Sequence, residues 1–438
     1  MELVQPGEHI MDQSRGDRLV EWDLVVVGLG YVGMPLVREA VRTGMRVAGL
    51  DVDPGRIARL NSGVSHVDDI SDGEVTALLA QGFRATSDDR VLAAADTVVI
   101  CVPTPLDEDR RPDLGAVTEA GRMVADRLGP DTLVVLESTT WPGTTEEVLR
   151  PLLEKSGLSV GIDFHLAYSP ERIDPGNPVH GLRNTPKIVG GVTSACLDRA
   201  MAFYGKLVEQ VVPVRGTREA EMAKLLENTY RQVNIALVNE IAVLCDELAI
   251  DVWDTISAAA TKPFGYQPFR PGPGVGGHCI PIDPSYLSHR VRRLGHQFQF
   301  AELAQQVNDR MPAYVAERAA RLLHRHGRCA NGADVVLLGV TYKPDVADGR
   351  ESPAEPLARR LHAAGARVAY HDPLMDEWAA GGVPARRIHG LEEALDSADL
   401  AILLQPHRSF DLSLVATRAA LVLDTRGVLP PSDTVERL

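Results

Sequence analysis

The same series of strand-like segments occurs twice in this chain, once towards each end, and that repeat constrains the fold more than any other feature. Trp22-Asp-Leu-Val-Val-Val-Gly-Leu is echoed by Ala333-Asp-Val-Val-Leu-Leu-Gly-Val. Met45-Arg-Val-Ala-Gly-Leu-Asp-Val-Asp-Pro54 is echoed by Ala366-Arg-Val-Ala-Tyr-His-Asp-Pro373. Ala95-Asp-Thr-Val-Val-Ile-Cys-Val-Pro103 and Leu133-Val-Val-Leu-Glu-Ser have counterparts in Ala398-Asp-Leu-Ala-Ile-Leu-Leu-Gln-Pro406 and Leu421-Val-Leu-Asp-Thr-Arg. Short apolar runs separated by helical stretches are the pattern of buried parallel strands with crossover helices. The expected fold is therefore α/β, with two Rossmann-like doubly wound domains joined by a long central helix from Thr217 to Ile250. Four segments follow: a disordered tail over 1–21, a dinucleotide-binding domain over 22–216, a central helical region over 217–312 and a second Rossmann-like domain over 313–438.

Only the first copy carries Gly28-Leu-Gly-Tyr-Val-Gly33 between its first strand and first helix, with Asp51 closing the next strand 18 residues after Gly33. In that setting the pattern is a dinucleotide fingerprint. Gly28 allows the tight turn, Gly30 lets a pyrophosphate approach the backbone, and Gly33 lets helix pack on strand. The N-terminus of the helix expected over Met34–Thr43, entered through Tyr31 and Val32, offers amides to the phosphates. Asp51 would accept from ribose hydroxyls, favouring NAD over NADP; Asp53 is a rival, and Arg56 leaves room for a phosphate. The plain alternative is three glycines kept for packing. The second copy has Gly339-Val-Thr-Tyr-Lys-Pro at that turn, so it is expected to hold a different phosphate-bearing molecule.

Polar residues gather just past the carboxyl ends of the expected strands, where ligands bind in open parallel sheets. They are Pro103-Thr104-Pro105, Glu137-Ser-Thr139 and Ser169-Pro-Glu171-Arg172. Lys224 and Asn228 lie one helical turn apart on one face of the long helix. A solvated helix face is the plain alternative, against which stand the apolar neighbours Met222, Leu225 and Leu226.

Between Pro271 and Pro284 run four glycines and four prolines, a composition unfit for helix or strand interior. Within this loop Cys279 precedes Asp283 by four residues: a possible nucleophile beside a possible proton acceptor. A structural loop with an inert thiol reads the same composition equally well.

With 60 acidic against 45 basic residues, the net charge of -15 argues against a nucleic-acid surface. Five scattered cysteines without a CxxC pair fit reduced thiols in a cytoplasm and neither a disulfide framework nor a metal site. Cys101, inside an apolar strand, reads as core. No apolar run reaches the roughly 18 residues of a membrane span, and the tail has no signal-peptide core.

Taken in order, these motifs resemble the nucleotide-diphosphate-sugar 6-dehydrogenases, the family of UDP-glucose and UDP-N-acetylhexosamine dehydrogenases, from about Asp23 to Val428. To those already quoted the resemblance adds Gly276-Gly-His-Cys279, Tyr342-Lys343 and Arg350-Glu-Ser352. It implies oxidation of a hexose C6 alcohol to a carboxylate with two NAD, and Cys279 as the nucleophile that carries a thiohemiacetal and then a thioester. It implies oxyanion donation by Lys224 and Asn228, and water activation by Asp283 with Thr139 and Glu171 nearby. Sugar-nucleotide contacts would come from Glu171, Arg172, Lys224, Asn228, Phe269, Arg270, Gly276 and Lys343. NAD contacts would come from the glycine turn, Asp51, Arg56, Pro103, Thr104, Thr139 and Arg350. The protein would be a homodimer or larger homo-oligomer. Glucose-specific members carry a second glutamate where this chain has Pro175, and the wording from Gly277 to Leu287 is nearest the UDP-N-acetylglucosamine branch. The same chemistry on UDP- or dTDP-glucose stays open. So do a single-step hydroxyacid-type dehydrogenase, which needs no thiol, and a non-catalytic sugar-nucleotide or NAD sensor, which would have lost Cys279, Lys224 or Asp283.

Overall fold

The computed structural model describes residues 20–67, 69–107, 111–174, 176–177, 179–277 and 280–438. Of the expected disordered tail, 1–19 lie outside these residues. Glu21 is anchored, its amide donating to the Ala94 carbonyl at 3.0 Å. The chain forms two compact units. One comprises residues up to Thr104 and Asp113–Met222; the other comprises Pro105–Pro112 and Ala223–Leu438. The division falls inside the long helix, so the segment 217–312 is shared between the units.

The first unit is built on eight strands: β1 Leu24–Val27, β2 Val47–Leu50, β3 Arg84–Thr86, β4 Thr97–Ile100, β5 Leu133–Leu136, β6 His165–Tyr168, β7 Lys187–Gly191 and β8 Val211–Pro213. Their order is β3-β2-β1-β4-β5-β6-β7-β8, with every pairing parallel except β6–β7. β1, β2, β4 and β5 are buried throughout their length, as Val- and Leu-rich strands covered on both faces must be.

The second unit carries β9 Asp334–Leu338, β10 Arg367–His371, β11 Arg386–Arg387, β12 Leu400–Leu403, β13 Val422–Asp424 and β14 Val435–Arg437. They form an all-parallel sheet in the order β11-β10-β9-β12-β13-β14. The repeat read from the sequence is thus a structural one: β2-β1-β4-β5 and β10-β9-β12-β13 are the same arrangement. It extends to single hydrogen bonds. The Gly28 amide donates to Leu50 O at 2.8 Å and the Gly339 amide to His371 O at 3.0 Å.

The long helix runs over Thr217–Glu247, three residues short of the expected end. Ala249 takes a left-handed φ of 55°, and the Ile250 amide returns to the Cys245 carbonyl at 2.8 Å, closing the helix with an αL cap. In the second unit its apolar side joins Val238, Ala242 and Cys245 to the core that includes Met311, Val315, Val335 and Leu337.

Candidate functional site

The glycine turn of the first unit shows why each glycine is there. Gly28 has φ +96°, and a Cβ on it would lie 2.7 Å from the Cys101 carbonyl oxygen. A Cβ on Gly33, the first residue of the helix Gly33–Arg42, would lie 2.0 Å from the Gly28 oxygen. A Cβ on Gly30 would meet nothing within 4 Å. Two glycines therefore serve chain contacts, while the middle one borders open space, the arrangement a pyrophosphate cradle needs. Tyr31 and Val32, both half-buried, pack on the core beside it.

Asp51 sits at the end of β2 with its side chain almost fully enclosed. One oxygen, Oδ2, accepts from the Leu29 amide at 2.8 Å and from Arg56 Nη1 at 2.8 Å; Oδ1 accepts from the Asp53 amide at 3.0 Å. Burial pushes its carboxyl upward, but the two amides and the Arg56 guanidinium outweigh that and hold it below the ordinary carboxylate range. Asp53 is turned to another task, capping the helix Pro54–Asn61. Asp51 retains acceptor capacity beyond these three bonds. The open space over Gly30, the amides behind it and this anionic end of β2 fit the diphosphate and ribose of NAD.

A second polar cluster lies where β5, β6 and β7 meet. Lys187, with 3% of its side chain exposed, places Nζ 3.0 Å from Glu137 Oε1 and 3.8 Å from Glu171 Oε2, and it donates to the Pro170 carbonyl at 3.2 Å. Tyr204 donates to Glu137 Oε1 at 2.5 Å, and Glu171 Oε1 accepts from the Ile173 amide. Burial tends to discharge Lys187, but the two carboxylates more than reverse this and raise its pKa; burial raises that of Glu137. Glu171 is the member nearest solvent. Beside it, Arg172 Nη1 donates to the Pro186 carbonyl at 2.6 Å. Thr139 is half-buried two residues beyond Glu137. In the same unit Glu221, fully buried on the long helix, accepts from the Gly143 amide at 2.5 Å and from the Thr145 amide and hydroxyl at 2.9 and 2.7 Å. Burial pushes its pKa to about 7.

In the second unit the structure joins Lys224, Asn228 and Asp283. All three are buried. Asn228 Nδ2 donates to Asp283 Oδ2 at 2.5 Å. Burial raises the Asp283 pKa to about 6, against the opposing pull of Lys224 and Asn228. Asp283 opens the helix Asp283–Arg293, which fixes its direction.

The glycine-rich loop, described up to Gly277, packs on the predicted nucleotide-binding turn. A Cβ on Gly276 would lie 2.7 Å from the Glu351 oxygen and 3.0 Å from Tyr342 Cβ, and one on Gly277 would lie 2.8 Å from the Tyr342 ring. The loop begins at Gly272, whose amide donates to Asn239 Oδ1 at 2.9 Å. Its glycines thus bring Gly276, Tyr342-Lys343 and Arg350-Glu-Ser352 together. Phe269 stacks edge-on against Tyr230 with ring centroids 5.8 Å apart, Arg270 is exposed, and Arg350 makes a two-pronged pair with Asp348. His278 and Cys279 lie outside the described residues, as does Pro175. Cys101 is buried in the first core, as expected from its apolar strand.

Lys187 and Glu221 are additions of the structure, and Glu137, which the sequence marks only as part of Glu137-Ser-Thr139, gains its partners here. One signal was available: Lys187-Ile-Val-Gly-Gly places a lysine at the head of an apolar strand, where burial demands an anionic partner.

Comparison with known proteins gives the same picture along the whole chain. The NAD-binding domain of the UDP-glucose/GDP-mannose dehydrogenase family matches residues 22–208, its central domain 218–310 and its UDP-binding domain 336–431. Protein CapL of Staphylococcus aureus is 35% identical over 93% of this chain and 96% of its own. The UDP-N-acetyl-D-glucosamine 6-dehydrogenase of Pseudomonas aeruginosa is 36% identical over 80% of this chain and 82% of its own. The solved UDP-D-ManNAc dehydrogenase of Pyrococcus horikoshii superposes with a TM-score of 0.85 at 32% identity, covering 94% of this chain and 98% of that one. A glycine cradle fitted to NAD, a second sheet without that cradle, and matches spanning all three domains make this chain a member of the UDP-glucose/GDP-mannose dehydrogenase family, an NAD-dependent UDP-sugar dehydrogenase.

Proposed function

We propose that the protein oxidises the C6 alcohol of a UDP-N-acetylhexosamine, with UDP-N-acetylglucosamine as the first candidate, to the carboxylate in two steps at one site. The observation that carries this reading is the buried Lys224–Asn228–Asp283 cluster, whose Asp283 follows Cys279 by four residues. Names of relatives support an N-acetylated sugar: N-acetylglucosamine for the Pseudomonas protein and N-acetylmannosamine for the Pyrococcus one.

NAD, held at the glycine turn and Asp51, would supply the hydride acceptor for each oxidation at C6. The residues supply the rest. Asp283 receives, directly or through water, the proton released from the C6 hydroxyl. The Cys279 thiolate adds to the resulting aldehyde, its C–S bond forming as the carbonyl π pair moves onto oxygen. Lys224 and Asn228 hold that oxyanion. Loss of the second hydride leaves a thioester. After Asp283 has passed its first proton to solvent, water attacks the thioester carbonyl carbon with Asp283 again as base, and the C–S bond breaks to return the thiolate. Thr139, Glu171 and Arg172 serve as further contacts at the sugar. Gly276, Phe269, Arg270 and Lys343 hold the sugar nucleotide. The glycine turn with Tyr31 and Val32, Asp51, Arg56, Pro103, Thr104 and Arg350 serve NAD.

The long helix supports self-association. Leu226, Tyr230, Leu237, Ile241 and Leu244 are exposed along one side of it, an apolar stripe of the kind that a second copy covers. No helix among the described residues is long and apolar enough to cross a membrane.

Initial rates of NADH formation with UDP-N-acetylglucosamine, UDP-N-acetylgalactosamine, UDP-N-acetylmannosamine, UDP-glucose and dTDP-glucose test the substrate. Two NADH per sugar are expected, with net acid formation lost in Cys279→Ala. One NADH per sugar, or full turnover in Cys279→Ala, overturns the two-step scheme. Tight NAD binding with no turnover across the panel would instead indicate a sensor.

A further inference from the structure

The turn carrying Lys343 is held by the segment Gln405 to Arg408, which follows β12. Gln405 Nε2 donates to the Tyr342 carbonyl at 2.8 Å. Thr341 Oγ1 donates to the Lys343 carbonyl at 2.9 Å. Asp345, two residues after Lys343, sits at a left-handed φ of 61°, a conformation that costs any residue but glycine and that aspartate adopts where hydrogen bonds hold it. Its amide donates to His407 Nδ1 at 3.0 Å, and its carboxylate takes Arg408 N at 2.9 Å and Nε at 2.8 Å. His407, with a fully enclosed side chain, places Nε2 3.2 Å from Asp372 Oδ2. Asp372 in turn accepts from the Val340 amide at 2.6 Å. An imidazole that accepts at Nδ1 and donates from Nε2 is neutral with one defined tautomer.

The repeat gives this clamp a meaning. His407 stands where the first copy has Thr104, and Thr341 where it has Gly30. Gly30 borders open space, whereas Thr341 and His407 are buried and bonded. The second copy has converted an open cradle into a filled, braced turn.

We propose that His407 is a positioning residue for UDP-sugar binding: oriented by Asp372, it holds through Asp345 the turn that presents Lys343 to the substrate's diphosphate. This rests on the reading of Lys343 as a substrate contact given above. Asparagine can place its oxygen near the Nδ1 position and keep the Asp345 bond, whereas glutamine reaches the Nε2 position and loses it. In the full-length enzyme, His407→Gln is expected to raise the KM for the sugar nucleotide roughly tenfold, the loss of a turn-holding hydrogen bond. The KM for NAD and kcat stay unchanged, and His407→Asn stays near the wild-type KM. UDP binding measured by calorimetry should follow the same order. Arg408→Gln, at an exposed side chain, removes the Nε bond to the same Asp345 while its backbone amide bond remains, and is expected to raise KM in the same sense by a smaller factor. It decides the matter if His407→Gln does not fold. A Lys343→Met enzyme with unchanged sugar-nucleotide KM overturns the reading of Lys343 and the proposal with it. A raised KM in Lys343→Met beside unchanged KM in both His407→Gln and Arg408→Gln overturns the proposal alone.

Discussion

Asn228 donates from Nδ2 to Asp283 Oδ2 across 2.5 Å in a buried setting, and this bond favours the ionised carboxylate. Burial acts the other way and more strongly, so the Asp283 pKa is raised to about 6. If Asp283 works as a base, kcat should rise with pH through about 6. Asn228→Ala removes a contribution that lowers the pKa, so the acid limb should move to higher pH, beyond any loss in kcat itself. A limb that stays in place in pH–rate profiles of this variant would show that another group titrates there. The same shift links pH to folding. A carboxyl with a raised folded-state pKa contributes stability that is fully present below its ordinary value of 3.8 and is lost as pH rises through about 6. Denaturant midpoints of Asp283→Asn should therefore lack this decline between pH 4 and 6.

Lys187 neutralises two carboxylates at the meeting of β5, β6 and β7. Lys187→Met would strip the fully buried Glu137 of the ammonium 3.0 Å away, a loss of about 3–5 kcal/mol by analogy with other broken buried pairs. Urea denaturation measures it. Adding Glu137→Gln should recover a substantial part, because it removes the buried carboxylate that Lys187 had paired; a double variant no more stable than Lys187→Met would rule out this electrostatic account.

The three glycines of the turn should separate by phenotype. Gly33→Ala forces a Cβ to 2.0 Å from backbone and Gly28→Ala to 2.7 Å at a positive φ, so both should lower the melting temperature. Gly30→Ala meets nothing in the protein and should melt normally while binding NAD weakly. Thermal scans beside NAD titrations test this, and normal NAD affinity in Gly30→Ala would count against a cradle at that position.

Leu237 and Leu244 are 54% and 48% exposed on the long helix. Replacing both with Glu should leave each unit folded, since neither side chain is buried in it, and shift the protein towards monomer. Light scattering after gel filtration reports the mass; an unchanged mass would place any oligomer contact elsewhere.

Much of the fold was legible because apolar runs such as Leu24–Val27 and Asp334–Leu338 are short, β-branched and repeated in the same order. Boundaries slipped where a local backbone event decides them. The left-handed Ala249 ends the long helix before Ile250, and alanine announces no such turn. In the candidate site, spacing along one helix was enough to put Lys224 and Asn228 on one face. The partnership of Asn228 with Asp283, 55 residues later, needed the fold. So did the Lys187 cluster, since Glu137, Glu171 and Lys187 meet only once three strands are in register. His407 was invisible for a further reason: it replaces Thr104 in a repeat whose importance had been read from what the first copy has, not from what the second gained.

The hydrogen bond from the Leu29 amide to Asp51 has a twin in the one from the Val340 amide to Asp372. Since the second sheet lacks the glycine fingerprint yet keeps this bond, the acid at the end of the second strand is first a latch on the turn. That changes how cofactor preference can be engineered here. Exchanging Asp51 for a small neutral residue to admit the 2′-phosphate of NADP would also unlatch the pyrophosphate cradle. A successful redesign must keep an acceptor for the Leu29 amide and relocate the positive charge of Arg56, changing at least two residues at once.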